Sequence, residues 1–378
     1  MPLNEKLLID RIRRAAARGR RTAGTGIGDD CAVLRVPRGD AVLVTTDFSL
    51  EDVHFRREWH PPDSVGHRCL ARGLSDIAAM GGVPRAAFLS LALPPDLPQK
   101  WVDQFIVGLL KLAKRYSVTL AGGDTAQSPG GILADIVVLG SAPAGKAILR
   151  SGAKPGDLLY VTGTLGTSAA ALHRLRAGEK LRPTSHPRHF YPEPRIAVGQ
   201  FLREKKLASA MIDISDGLST DLGHICDESK TGAVVYADVL PGGSPQHRRL
   251  VSGHGFSRAV RHSTMTRALA PAAHESAGAN AHEPEPGPFG TTGTRALTQT
   301  ETTGEIIFLR DGDIDLILHG GEEYELLFTA RPNRRIPEHI AGIPITQIGE
   351  IVRGRQMKLV TPDGNTELLK PAGWEHFG

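Results

Sequence analysis

The stretch GIGDDCAVLRVPRGDAVLVTTD, Gly26–Asp47, opens with a glycine-rich turn carrying two adjacent carboxylates, Asp29 and Asp30. An apolar run, Cys31–Val36, follows. A Pro-Arg-Gly-Asp turn and a second apolar run, Ala41–Val44, then lead into Thr45, Thr46 and a third carboxylate, Asp47. Two short apolar runs joined by a Pro/Gly turn predict a pair of strands. Acids with glycine or hydroxyl neighbours therefore stand at both ends of that pair. Carboxylates clustered in this way raise one another's pKa unless a cation neutralises them. Hard oxygen ligands suit Mg²⁺, which is held by a few carboxylates together with substrate phosphates. A plainer reading is that Asp29 and Asp30 only shape a turn. It loses weight because the pattern recurs.

Upstream, residues 4–18 read as a basic helix with Asn4 as cap and Leu7, Leu8, Ile12 and Ala15 on one side. Downstream, Asp63 reads as the cap of a helix in which Val65, Cys69, Leu70, Leu74, Ile77 and Met80 recur at three- and four-residue steps. Asp76 lies inside that helix, in LSDIAAMGG, beside its apolar stripe. Ala86–Leu93 reads as a strand, and Pro98 opens a second helix with Trp101, Phe105 and Leu109 inward. Val118–Ala121 is a short strand running into GGDT, Gly122–Thr125. After a strand over Ile132–Ser141, the turn RSGAKPGD, Arg150–Asp157, divides the chain into domains 1–149 and 150–378.

A new strand begins at Leu158–Thr162. The GTLGTS after it offers a helix N-terminus suited to an anion, but lacks the Gly-Lys-Ser/Thr ending of a Walker A loop. MIDISDGLSTDL then repeats the acid pattern with Asp213 and Asp216 about Ser215. The stretch 242–303 is rich in Gly, Pro, Ala, His and Thr and reads as a disordered or loosely folded insertion. Its histidines have no tight metal spacing. IIFLRDGDIDLIL reads as a hairpin around Asp311-Gly312. GGEEYELLF feeds a strand, and PAGWEHFG reads as a covering tail.

The 378 residues allow two domains, and a hydrophobic content of 40% gives each a core. A net charge of +4 and a pI near 9.0 suit anionic small substrates. Aromatics are only 5% and do not interleave with a basic patch, which argues against nucleic acid as a partner. Cys31, Cys69 and Cys226 form no C-x-x-C pair and read as small buried hydrophobes. With no apolar span of membrane length and no apolar signal core, the expectation is a cytoplasmic protein away from membranes.

Five segments thus repeat one arrangement: GDD at 28–30, TTD at 45–47, LSD at 74–76, GGDT at 122–125 and DISD at 213–216. Like charges gathered without cations would cost on the order of several kcal/mol. Several Mg²⁺ ions bridging a polyphosphate remove that conflict. Such a site fits phosphoryl transfer, in which positioning and charge neutralisation supply most of the rate. No protein-kinase motif set is present, and spacing alone does not name the acceptor.

As a set, GIGDDCAVL, TTD with DVHF, LARGLSDIAAMGGVP, AGGDT, RSGAKPGD, DISDGLSTDL, GGEEYEL and GWEHF resemble thiamine-monophosphate kinases, of the aminoimidazole-ribonucleotide-synthetase-like ATP-binding superfamily. The resemblance covers nearly the whole chain outside 242–303. It implies a two-domain α+β and α/β fold whose N-terminal sheet pairs across a homodimer. It also implies ATP-dependent conversion of thiamine monophosphate to thiamine diphosphate. By motif, Asp30, Asp47, Asp76, Asp124 and Asp213 would hold Mg²⁺, assisted by Asp216 and the Thr45 and Thr46 oxygens. Gly123, Asp124, Arg150 and Ser215 would face ATP, with Asp124, Arg150 and Asp216 acting in the transfer. His54, Glu322 and Trp374 would touch the thiamine phosphate.

Two departures stand out. The usual GGEDYEL is GGEEYEL here, so Glu323 is one methylene longer. Ile106 stands where an aromatic often meets the nucleotide. Two other readings compete: a sister enzyme with another acceptor, and a nucleotide- or thiamine-phosphate-binding regulator without turnover. His54 and GWEHF speak against the first, and the intact acids against the second.

Overall fold

The computed structural model describes residues 5–16, 23–25, 33–242 and 314–374. Asp30, the 243–303 part of the insertion and the centre of the expected hairpin lie outside them. Helix α1, Glu5–Ala16, buries Leu8 and Ala16, whereas Ala15 is exposed. Strand β1, Ala23–Thr25, pairs antiparallel with β2, Val33–Leu34. Strand β3, Asp40–Leu50, leaves β2 and pairs along its whole length with β6, Leu133–Pro143. The two runs joined by the Pro37–Gly39 turn are therefore strands, as expected, but not partners. Alternating Val, Thr and Phe suit a pleated surface, so β3 continues past Thr45, Thr46 and Asp47.

Helix α2, Pro62–Ala79, is followed by β4, Val83–Leu93, helix α3, Gln99–Arg115, and β5, Thr119–Gln127. Asp63 does not cap α2. The helix starts from Pro61 and Pro62, whose fixed φ suits a first turn, and the Tyr191 hydroxyl donates to Asp63 at 2.8 Å. The first sheet runs β3-β6-β4-β5, with β4 and β5 parallel across the α3 crossover. GGDT lies inside β5 rather than beyond its end. On β3, Leu43, Thr45, Asp47 and Ser49 point toward α2. Val42, Val44 and Phe48 point the other way and are 48%, 65% and 55% exposed.

The second sheet gathers β7, Leu158–Thr162, β8, Ala208–Ile214, β9, Gly232–Tyr236, and β10, Glu325–Ala330. It continues with β11, His339–Ile340, β12, Ile343–Val352, β13, Met357–Val360, and β14, Thr366–Leu368. Its order is β14-β13-β9-β12-β7-β10-β8, with β11 on β12 and only β13–β9 parallel among the described pairs. Helices α4, Thr167–Arg176, α5, Pro187–Phe190, α6, Ile196–Glu204, α7, Leu218–Ser229, and α8, Ile314–His319, accompany it. Residues Ile314–Leu318, expected as a hairpin arm, are the helix α8. Their apolar positions Ile314, Ile317 and Leu318 recur at a helical spacing that also fits a short strand.

Helix α2 holds the two sheets together. Its Val65, Leu70, Leu74 and Ile77 join one core with Ile136 and Val138 of the first sheet and Met211, Leu326 and Phe328 of the second. A helix buried nearly all round needs small residues where neighbours come close. At Gly66 a Cβ would sit 1.9 Å from the Phe105 carbonyl oxygen, and at Gly108 equally close to that of Asp63. This contact fixes α3 against α2. Truncating fully buried Leu74 to Ala would cost about 2–5 kcal/mol.

Candidate active site

A cavity of about 460 Å³ opens where α2, β3, β8, α4, α8 and the 320–324 loop meet. Asp47 of β3, Asp76 of α2, and Asp213, Ser215 and Asp216 from the end of β8 belong to its lining. Val53, His54, Arg72, Glu322, Tyr324 and Trp374 line the rest, with small and apolar residues of α4 and α8. Three of the four described acid segments thus converge, together with all three residues assigned to the substrate.

The acids are short of counter-charge. Asp47 is pushed up to about 7, first by burial and then by Asp76. Asp76 is raised chiefly by burial, while the Thr45 hydroxyl that donates to it and the Arg150 charge pull the other way. Asp213, 3% exposed, is raised well above the carboxylate range by burial and then by Asp76 and Asp221. One oxygen of Asp47, Oδ2, is buried with no hydrogen-bond partner. Such a set of hard oxygen donors suits Mg²⁺.

Asp221 shapes the turn that carries the last of these acids. Its Oδ2 accepts the backbone N–H groups of Ser215, Asp216 and Gly217 at 3.1–3.2 Å, fixing the start of α7. Trp374, 46% exposed, donates its backbone N–H to the Asp216 carbonyl at 3.0 Å and brings the C-terminal segment over the cavity. His54 accepts the Leu50 N–H on Nδ1 at 3.0 Å, so the proton of the neutral ring sits on Nε2.

Glu322 is held by two arginines of α2. Arg68 Nη2 lies 2.6 Å and Arg72 Nη2 2.5 Å from its carboxylate. Burial alone would raise this carboxyl, but the two guanidiniums hold it well below the usual range. Glu322 and Tyr324 both have positive φ, +61° and +51°, conformations costly for residues with side chains. The loop is tied down at each: Glu322 N–H donates to Ser215 O at 2.7 Å and Tyr324 N–H to Ile214 O at 2.9 Å. The arginine clamp is absent from the sequence expectations. Its signal is in the sequence, because Arg68, Arg72 and Asp76 recur at four-residue steps and share one face of α2.

Several expected residues do not line this cavity. Thr46 turns its hydroxyl to the other face of β3, where it donates to Asp135 at 2.7 Å. Asp124 aligns across the sheet with Ser90, Asp135 and Phe48, hence on that same outer face and three strands from β3. Three strand spacings are about 14 Å, too far for Asp124 and Asp47 of one chain to share an ion. Gly123 accompanies it on β5. Arg150 opens a 3₁₀ turn, Arg150–Gly152, outside the cavity lining but within electrostatic reach of Asp76. The helix end offered by GTLGTS is already filled: Glu323 accepts the Ser168 N–H at 3.0 Å and the Thr167 hydroxyl at 3.3 Å.

Models of the AIR synthase related proteins match twice, the N-terminal domain over residues 28–142 and the C-terminal domain over 154–278. A thiamine-monophosphate kinase of Salmonella typhimurium is 41% identical over 98% of this chain and 95% of its own length. The chain belongs to the thiamine-monophosphate kinase family. The Escherichia coli K12 member is 34% identical over the same shares. Among solved structures, the kinase of Stenotrophomonas maltophilia is 31% identical with a TM-score of 0.70, covering 97% of this chain and 98% of that one. AaThiL, solved with AMPPCP and TMP, is 26% identical with a TM-score of 0.65 over 99% of both chains. The hydrogenase maturation protein HypE shares the fold at 16% identity and a TM-score of 0.66.

Proposed function

We propose that this chain transfers the γ-phosphoryl group of ATP to thiamine monophosphate, giving thiamine diphosphate. The observation that carries the reading is a single cavity whose lining combines converging acids with His54, Glu322 and Trp374. Membership of the kinase family supports it, as does the relative bound to AMPPCP and TMP.

Asp47, Asp76, Asp213 and Asp216 are the residues to hold Mg²⁺, with Asp30 and the Thr45 oxygen as further donors, while the Thr46 hydroxyl faces Asp135 on the other side of β3. The orphaned Asp47 oxygen and the raised carboxyls fit that use. Several bound ions would neutralise the phosphate charges as the phosphoryl group passes. Ser215, Gly123, Asp124 and Arg150 are assigned to ATP, Arg150 as a planar donor to phosphate oxygens. Transfer is direct and in line, and no general base is required, because a phosphate monoester is already an oxyanion near neutral pH. His54, with Nδ1 accepting a backbone N–H, donates from Nε2 to the substrate rather than removing a proton from it.

The reading includes a homodimer joined through the first sheet. Its outer face carries exposed Val42, Val44 and Phe48, and β3 and β5 are its two edges. Pairing the β3 edge of one copy with the β5 edge of another would make the strand of Asp124 a neighbour of the strand of Asp47. The domain division at 149/150 falls in the interval between the two family-model matches. Among the described residues no helix is long and apolar enough to cross a membrane, and a cytoplasmic place of action goes with the use of ATP. The test is incubation with ATP, Mg²⁺ and thiamine monophosphate, following thiamine diphosphate chromatographically. ATP consumption without thiamine diphosphate would overturn the acceptor.

A further inference from the structure

We infer that Arg72 binds the phosphate of the acceptor and sets the preference for thiamine monophosphate over thiamine; this rests on the function proposed above. Arg72 lines the same cavity as Glu322 and Asp47 and acts on both. Its Nη2 contacts Glu322 at 2.5 Å, its Nη1 donates to the Phe48 carbonyl at 3.1 Å, and its charge acts on Asp47. An acceptor with its organic part against Glu322 and its phosphate toward Asp47 would have that phosphate beside Arg72, which touches the one and acts on the other.

The charge balance of the cavity points the same way. Five described carboxylates, Asp47, Asp76, Asp213, Asp216 and Glu322, line it, so side-chain cations that could meet a dianion are few. Arg72 and Arg176 are the arginines among the described lining residues, and no lysine joins them. Arg176 lies in the last turn of α4 and is exposed, whereas the Arg72 side chain is only 12% exposed. The Arg72 Nε–H is buried without a partner. This guanidinium is not fully used by the protein, and a guanidinium donor suits a phosphate oxygen. The clamp also allows the exchange. Arg68 donates from Nη1 to the His189 carbonyl and from Nη2 to Glu322, so Glu322 stays anchored when Arg72 turns a donor to the phosphate.

The experiment measures calorimetric affinities of thiamine monophosphate and of thiamine for the full chain and for Arg72→Gln. Arg72→Gln should weaken thiamine monophosphate at least about tenfold while changing thiamine less than about twofold. Equal loss of both ligands would mean that Arg72 acts only through Glu322, and unchanged affinity for thiamine monophosphate would remove it from the phosphate altogether. Either result overturns the inference. If Arg72→Gln does not fold, Arg72→Lys carries the test: its KM for thiamine monophosphate should rise while that for ATP holds, and a parallel rise in both counts against the assignment. Wild-type turnover separates the two levels. A wild-type protein that makes no thiamine diphosphate defeats the function, and one that makes it while the variant keeps its preference defeats only the role of Arg72.

Discussion

Glu323 accepts the backbone N–H of Ser168 at 3.0 Å and so fills the helix end at which the sequence invites an external anion. Burial pushes Glu323 up to about 7, while the Ser168 N–H and Arg188 pull it down. A carboxyl raised from 4.5 to about 7 on folding stabilises the protein below the lower value, and that stability is lost as pH climbs through the upper one. The loss is at most about 3 kcal/mol. Glu323→Gln keeps an acceptor for Ser168 but removes the titration. Its melting temperature should therefore fall less than that of the wild type, by a few degrees, between about pH 5 and about pH 8. Identical pH slopes in the two proteins would dismiss Glu323 as the titrating group.

Asp47 carries a buried oxygen without a partner beside Asp76. Asp47→Asn removes one repelling charge at nearly constant volume. In chelator-treated protein the variant should melt no lower than wild type, while its turnover with Mg²⁺ falls at least about a hundredfold, on the order of 3 kcal/mol. Added Mg²⁺ should raise the wild-type melting temperature more than that of the variant. Near wild-type turnover in the variant would remove Asp47 from the metal set.

Much of this arrangement is legible in the sequence, and the rest is hidden for stated reasons. The α2 stripe announces itself by period, and Asp76 beside it ends in the cavity. The convergence of Asp47, Asp76 and Asp213 follows from three motifs far apart in the chain, which the resemblance joins and periodicity does not. The strands run on through TTD and GGDT, where Thr and Gly read as turn residues, because the ladders with β6 and β4 carry them through. Face is also invisible without register. Thr45 and Thr46 are adjacent, yet only Thr45 points to the acids. The clamp on Glu322 is a contact over 250 residues for Arg72, beyond any local pattern.

Asp124 and Asp47 stand on opposite edges and opposite faces of one sheet. If two copies assemble one site from both, each single variant, Asp47→Asn and Asp124→Asn, is nearly inactive alone. Mixed after unfolding and refolding together, they should regain about a quarter of wild-type turnover, since half the dimers are mixed and each holds one intact site. No recovery in a verified mixed dimer would place Asp124 outside the shared site.

Trp374 lines the cavity beside Asp216, 46% exposed as a residue and with its backbone tied to the Asp216 carbonyl at 3.0 Å. The thiazolium of the proposed substrate is a fixed positive charge, and an electron-rich indole face attracts it. That attraction involves the ring alone, whereas the backbone bond survives any substitution. Trp374→Ala should thus weaken thiamine monophosphate by about 1–2 kcal/mol, leaving ATP affinity nearly unchanged. Trp374→Phe should recover part of the loss, because the smaller ring keeps a face with a weaker quadrupole. Thiamine, which carries the same thiazolium, should lose as much in Trp374→Ala as its phosphate ester does. Paired titrations of the three ligands decide the matter: a loss confined to the ester would move Trp374 from the ring to the phosphate, and an equal loss for ATP would assign it to the fold of the C-terminal segment.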